Sequence, residues 1–264
     1  MAMDWEKSLD AAEEASRKAG EMLRRNIDSS REIVYKGAVN LVTDFDKRAQ
    51  DIIFSRLSSR FPDHDFLAEE DLCRQRGSDF RWIIDPIDGT TNYAHNFPIF
   101  SVSIALEWKS EVVCGVVYDP MREEMFSAIS GNGAVRNGRR ISTSTNGDLD
   151  KSLLATGFPY DVRESEVNNI DHFANFATRV QAIRRCGSAA LDLCYVACGR
   201  FDGFWELKLS PWDVAAGLLI VEEAGGHVTN FKGETASVYG KDVVASNGLI
   251  HEQMIQILRL GKQL

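Results

Sequence analysis

A mixed α/β chain in two lobes is predicted here on three observations. Apolar stripes at helical spacing alternate with short strand-like runs, no internal repeat or low-complexity tract interrupts them, and a polar, glycine-containing stretch at Ser142 to Asp150 separates two halves. The 264 residues, 44% of them hydrophobic, can bury a large core, either as one sizeable domain or as lobes at about 1–145 and 146–264.

The elements follow in order. Trp5, Leu9, Ala12, Ala19, Leu23 and Ile27 form one apolar stripe, so a scaffold helix is expected from about Trp5 to Ile27. Glu32 to Tyr35 reads as a strand, turned by Lys36-Gly37 into Asn40-Leu41-Val42. Thr43 suits the N-cap of a second amphipathic helix, whose inner face carries Phe45, Ala49, Ile52, Ile53, Leu57 and Phe61. Asp44 and Asp46 then fall in its first turn, where acids complement the helix dipole. After Pro62-Asp63-His64, the short strand Asp65 to Ala68 delivers Glu69, Glu70 and Asp71 at its end; such an acid run is also what a solvated loop contains. Phe100 to Trp108, Val112 to Tyr118 and Met125 to Ile129 alternate like neighbouring strands, with turns at Gly131-Asn132-Gly133 and Asn137-Gly138. Beyond the polar stretch come a strand at Ser152 to Thr156 and a helix around Asn169 to Arg179. A second helix opens at Gly187-Ser188-Ala189-Ala190, and a strand ends near Glu206. Pro211-Trp212-Asp213 begins a helix closed by Gly225-Gly226, and strands at His227 to Asn230 and Val243 to Ala245 precede a final helix near Leu249 to Leu260.

The stretch WIIDPIDGTTN, residues 82–92, carries the chemistry. Trp82, Ile83 and Ile84 read as the end of a buried strand, and Asp85 and Asp88 follow in a loop stiffened by Pro86 and turned by Gly89. Ligands of open α/β sheets sit at strand carboxyl ends, and the NH groups of Gly89, Thr90 and Thr91, opening a helix, would face an anion. Acids beside anion-seeking amides make sense together when hard cations lie between them and bridge to a phosphate oxygen. The competing reading is structural: Asp88 caps a helix and Asp85 accepts backbone hydrogen bonds. Glu69 follows its apolar run as Asp85 does, so two parallel strands would bring these acids together. Asp213 has the same two readings, cap or ligand. Jointly, Glu69, Asp85, Asp88 and Asp213 form an oxygen-only set without His or Cys, which favours Mg²⁺ over Zn²⁺ or Fe.

Bulk properties narrow the partners. A formal charge of −9 argues against nucleic acid or anionic membrane as the main partner, since both call for a basic face. The start, MAMDWEKSLDAAEEA, lacks the order of a signal peptide and no apolar run approaches spanning length, so a cytoplasmic location is expected. Cys73, Cys114, Cys186, Cys194 and Cys198 form no CxxC or zinc-like cluster; Cys194 and Cys198 share a helical face, the spacing of a redox pair, but among small apolar neighbours they read as buried reduced thiols.

The ordered set LVTDFDK at 41–47, AEE at 68–70, DPIDGTTN at 85–92, GSAALD at 187–192 and PWDVAAG at 211–217 resembles the inositol monophosphatase family. Its members are Mg²⁺-dependent, commonly lithium-inhibited phosphatases, and the likeness covers nearly the whole chain. It implies a single domain over 1–264 with a layered αβαβα sandwich. By the same likeness Glu69, Asp85 and the Ile87 carbonyl would bind the first Mg²⁺, and Asp85, Asp88 and Asp213 the second, with a weaker third held through Glu69. Gly89 and Thr90 would receive the phosphate. Thr90 with Asp46, or Glu69, would deprotonate or orient the attacking water. Gly187, Ser188, Ala189 and Glu206 would meet substrate hydroxyls, with Asp88 and Asp213 reaching the substrate too. The chemistry would be in-line hydrolysis between cations about 3.5–4 Å apart, with no phosphoenzyme. Two features depart from or qualify the pattern. Ala68 stands where Gly is common, which is tolerated unless the backbone needs positive φ. Arg185 has two readings, contact with a second phosphate or an exposed salt bridge. The expected substrate is inositol 1-phosphate, with fructose 1,6-bisphosphate or another sugar phosphate as the alternative; a homodimer is expected, and a partner role in RNA processing or transcription is the rival of another class.

Overall fold

The computed structural model describes residues 5–30, 33–35, 41–70 and 73–260. Helix α1 (Trp5–Arg25) leads to the hairpin strands β1 (Ile33–Tyr35) and β2 (Leu41–Thr43), then α2 (Asp44–Arg60). Next come β3 (Asp65–Ala68), β4 (Cys73–Arg74), β5 (Phe80–Asp88), α3 (Thr90–Ala94), β6 (Ser101–Trp108), β7 (Glu111–Asp119), β8 (Glu124–Ile129), β9 (Ala134–Arg136) and β10 (Arg139–Arg140). A 3₁₀ turn at Leu149–Lys151 precedes β11 (Leu153–Thr156), α4 (Ile170–Ala177), β12 (Ala182–Arg184), α5 (Ala189–Ala197), β13 (Gly203–Leu207), α6 (Pro211–Glu223), β14 (His227–Thr229), β15 (Asp242–Ser246) and α7 (His251–Leu258). The Lys36-Gly37 turn and Asp71 lie outside the described residues.

Among the described residues there are two larger sheets, ordered β10-β9-β8-β7-β6-β5-β3-β4 and β12-β11-β13-β15-β14. Side chains alternate across each strand, and that period sorts the core into layers. From β5, Trp82 and Ile84 face Ala12, Ala19, Phe45 and Ile53 of α1 and α2, whereas Ile83 faces the opposite cluster with Leu193 and Ala216 of α5 and α6. From the second sheet, Phe204 and Ala245 join that same middle cluster, while Trp205 and Val244 pack with Phe176, Met254 and Ile255 of α4 and α7. The layers therefore run helix, sheet, helix, sheet, helix, the αβαβα sandwich. The middle layer is tight: a Cβ on Gly115 of β7 would lie 2.9 Å from Ala216 Cα, so glycine lets α6 approach the sheet.

The polar stretch at 142–150 is fastened to the second sheet. Ser144 Oγ donates to Asp202 Oδ1 at 2.6 Å, and Asn247 Nδ2 donates to Ser144 Oγ and to the Asn146 carbonyl. None of the five cysteines is in a disulfide; Cys194 is buried as expected, Cys198 only half-buried, and Cys73 exposed. Among the described residues, no helix is long and apolar enough to cross a membrane.

Candidate active site

Two sets of parallel strand ends meet at one cavity. β3 and β5 run parallel with Ala68 opposite Ile84, so Glu69 and Asp85 leave the sheet side by side. β11 runs parallel to both β12 and β13, and their carboxyl ends bring Gly157, Arg185 and Glu206 to the same space. The cavity measures about 360 Å³, the size of a small-molecule site.

One sequence expectation is corrected here. Strand β5 does not stop at Ile84; it continues to Asp88 with its register against β6 shifted between Asp85 and Asp88. The physical cause is a bulge at Pro86, which has no NH to give the ladder. Its consequence is functional. Residues three apart on a regular strand point to opposite faces, and the extra residue turns both carboxylates to the cavity that they line. Gly89, at φ +98°, then N-caps the short helix α3; a Cβ there would lie 3.0 Å from the Gly187 carbonyl and 3.1 Å from that of Ile99. Only glycine satisfies both the dihedral and the approach. Ala68 sits in a strand and is not among the positive-φ residues, so its methyl is tolerated.

Carboxylate oxygens of Asp85, Asp88 and Asp213 lie within 4.8 Å of one another. Burial pushes Asp85 well above the usual carboxylate range, followed by repulsion from Glu69, Asp88 and Asp213. Asp213 rises to about 8, by burial and then by Asp88. Asp88 rises only to about 6, because hydrogen bonds from Ser188 and the amides of Ala190 and Ala189 oppose burial. Acids held this close, two of them buried and one half-buried, and offering only oxygen, fit a hard divalent cation; any cation there would lower all of these values together.

Asp85 Oδ1 accepts a backbone hydrogen bond from Ile87 N at 2.9 Å, and three other acids are tied to helix starts. Asp88 Oδ2 accepts from Ser188 Oγ at 2.5 Å and Ala190 N at 2.8 Å, at the N-terminus of α5. Asp213 is the third residue of α6, and its Oδ2 accepts from Ser210 N at 2.7 Å in a capping box. Asp46 holds the same place in α2: Oδ2 accepts from Thr43 N and Thr43 Oγ1, while Oδ1 accepts from Thr90 Oγ1 at 3.0 Å. Burial raises Asp46 to about 6, against the Thr43 and Thr90 hydrogen bonds. The Thr90 hydroxyl also lies 2.9 Å from the Ile87 carbonyl.

The remaining candidates line the same cavity: Gly187, Ser188, Ala189, Glu206 and Arg185. Ser188 spends its proton on Asp88. Glu206 is buried against Gly157 and pushed up to about 8, by burial and then by Asp192. Arg185 is exposed, packs its guanidinium on Gly187, and forms no ion pair among the described residues, so the expected salt bridge is not found. The cavity also takes in residues that sequence reasoning left unassigned: Asp192, whose buried Oδ1 has no partner, Trp212, and the Phe158–Tyr160 segment after β11. Position just past a strand's carboxyl end was the signal that could have found Tyr160.

A profile of the inositol monophosphatase family matches residues 4–263. The chain is similar to an inositol-1-monophosphatase of Synechocystis sp., 44% identical, covering 97% of this chain and 90% of the relative. It is similar too to the Nus factor SuhB of Escherichia coli, 41% identical over 95% of each chain. A solved inositol monophosphatase from Anabaena superposes with a TM-score of 0.89 at 41% identity, covering 97% of this chain and 96% of that one. Full-length match and convergent acids agree: the chain belongs to the inositol monophosphatase family and is a phosphatase that hydrolyses phosphoric monoesters.

Proposed function

We propose that the substrate is a small phosphorylated polyol, myo-inositol 1-phosphate first, hydrolysed with Mg²⁺ held by Glu69, Asp85, the Ile87 carbonyl, Asp88 and Asp213. Two ions per site, with a weaker third near Glu69, suit that donor set. The observation that carries this reading is the convergence of carboxylates from β5 and α6, Asp85 and Asp88 buried and Asp213 half-buried, with oxygens within 4.8 Å. Mg²⁺ bound there supplies the positive charge that offsets the acids, draws in phosphate and acidifies water.

The chain's own residues do the rest. The amides of Gly89 and Thr90 face the phosphate at the start of α3. Thr90 Oγ1 accepts a proton from the attacking water as it passes its own to Asp46 Oδ1, the acceptor at 3.0 Å. With the Ile87 carbonyl engaged as a ligand, Asp46 is the hydroxyl's remaining acceptor. Glu206, with Gly187 and Ala189, receives the substrate hydroxyls. Homodimer formation, lithium inhibition and a cytoplasmic location belong to the same reading.

Asp88→Asn tests it: the variant is expected to fold, to lose turnover of inositol 1-phosphate, and to stay inactive in excess Mg²⁺. Normal activity in that variant dismisses the ligand assignment. Side-by-side turnover of fructose 1,6-bisphosphate decides the alternative substrate, for which the unpaired Arg185 at the rim offers a second phosphate contact. The name of the SuhB relative supports a second reading, a partner role in transcription or RNA processing. Rescue of a deletion strain by Asp88→Asn would favour it.

A further inference from the structure

The segment from Gly157 to Tyr160 forms a cavity wall to which the mechanism above gives no task. Its first residue packs on Glu206, since a Cβ at Gly157 would lie 2.1 Å from Glu206 Oε1. Its last, Tyr160, lies within electrostatic reach of Glu69, Asp213, Asp85 and Asp88. Three residues span at most about 10 Å, so the wall runs from the hydroxyl-reading acid to the cation-binding acids over the length of a phosphorylated six-membered ring.

Tyr160 is 55% exposed although it lines the cavity, and among the described residues its hydroxyl has no hydrogen-bond partner. Phe158 and Trp212, the other aromatic side chains there, are more covered. The loop that carries Tyr160 is fastened. Lys208 Nζ donates to Asp161 Oδ2 at 2.6 Å and to Ser165 Oγ at 2.8 Å, and Asn169 Nδ2 donates to the Gly157 carbonyl at 2.6 Å. A largely exposed aromatic side chain is therefore held at the mouth of the cavity that the acids line.

We propose that Tyr160 determines specificity: its ring packs on the C–H face of a ring-shaped phosphorylated polyol and favours cyclic substrates over open-chain ones. A cyclitol or sugar ring presents such a face beneath its hydroxyls, and covering the aromatic ring removes apolar surface from water. An open-chain phosphate leaves that ring in solvent. The inference rests on the polyol-phosphate reading and adds the shape of the leaving group to it.

The experiment measures kcat and KM of wild type, Tyr160→Phe and Tyr160→Ala, with Mg²⁺, on myo-inositol 1-phosphate and on open-chain glycerol 2-phosphate. In Tyr160→Ala the ratio of kcat/KM, cyclic over open-chain, is expected to fall about tenfold, carried by KM. Tyr160→Phe is expected to keep the wild-type ratio, because the ring and not the hydroxyl makes the contact. An unaltered ratio in Tyr160→Ala, or a Tyr160→Phe ratio that falls as far, overturns the proposal. Should Tyr160→Ala unfold, Tyr160→Leu gives the same test, with bulk retained and the flat aromatic face removed. Wild type that turns over neither substrate defeats the polyol-phosphate reading and the proposal with it; wild type active on both, with a ratio that no variant moves, defeats the proposal alone.

Discussion

Thr90 has one hydroxyl proton and two acceptors within reach, Asp46 Oδ1 at 3.0 Å and the Ile87 carbonyl at 2.9 Å. Asp46 is placed to win it, because its other oxygen is fixed by two donors from Thr43 and the carboxylate cannot turn away. Burial raises Asp46 to about 6 in the metal-free fold and a bound cation nearby draws it lower, so turnover should fall on the acid side, at or below that pH, as the acceptor is lost to protonation. Thr90→Val keeps the shape and removes the hydroxyl. We expect kcat to fall by about 10²–10⁴, while stability falls by only about 1–3 kcal/mol for the unpartnered Asp46 Oδ1. Thr90→Ser should retain most of the rate. Kinetics at saturating substrate, beside thermal melts, check both, and a Val variant with wild-type kcat would remove Thr90 from the proton path.

Helix starts organise the site. Asp46, Asp88 and Asp213 each serve an N-terminus, of α2, α5 and α6, and each also faces the cavity or Thr90. Read from sequence, capping and ligation stand as rivals; in the fold they are compatible, since Asp46 and Asp213 cap their helices through Oδ2 while lying at the site, and Asp88 serves α5 and not α3, whose N-cap is Gly89. Asp213→Asn separates them. The amide oxygen still accepts from Ser210 N, so α6 keeps its cap, while a charge that burial raises to about 8 is gone. The metal-free variant should melt no lower than wild type at pH 8, and Mg²⁺ should raise its Tm by much less. A full Mg²⁺ shift in the variant would take Asp213 out of the ligand set. Much of this geometry was legible: Glu69 and Asp85 each end an apolar run, and parallel pairing of such strands forces the acids together. What could not be read was set by chain-distant partners. The bulge that aims Asp85 and Asp88 alike depends on the register of β6, and Tyr160 and Asp192 reach the cavity only through β11 pairing with β13 and α5 packing behind it. The middle layer did leave a trace, since α6 reads VAAGLLIV with no polar face, as a helix covered on both sides must.

Across the whole molecule, five layers place a cluster of acids between two sheets in a chain that already carries 39 acidic against 30 basic residues. Without cations this arrangement opposes folding, and the sign of the pH dependence follows. In the unfolded chain these carboxyls ionise near their ordinary values of 3.8 and 4.5; in the metal-free fold Asp46 and Asp88 hold protons to about 6, and Asp213 and Glu206 to about 8. Between those limits the folded state binds more protons than the unfolded one, so metal-free stability falls as pH rises from about 4 to about 8. Mg²⁺ competes with the same protons, and its affinity must rise over the same window. At a hundredfold excess over Kd, a bound ion adds about 2.7 kcal/mol, which for a domain of this size raises Tm by roughly 5–10 °C. Melts of chelator-treated protein from pH 5 to pH 8.5, with and without Mg²⁺, should therefore diverge: the metal-free Tm declines toward alkaline pH while the Mg²⁺-induced rise grows. Parallel curves, separated by a constant amount or not at all, would mean that the acids carry no shared charge cost and that the layers have not been built around a cation.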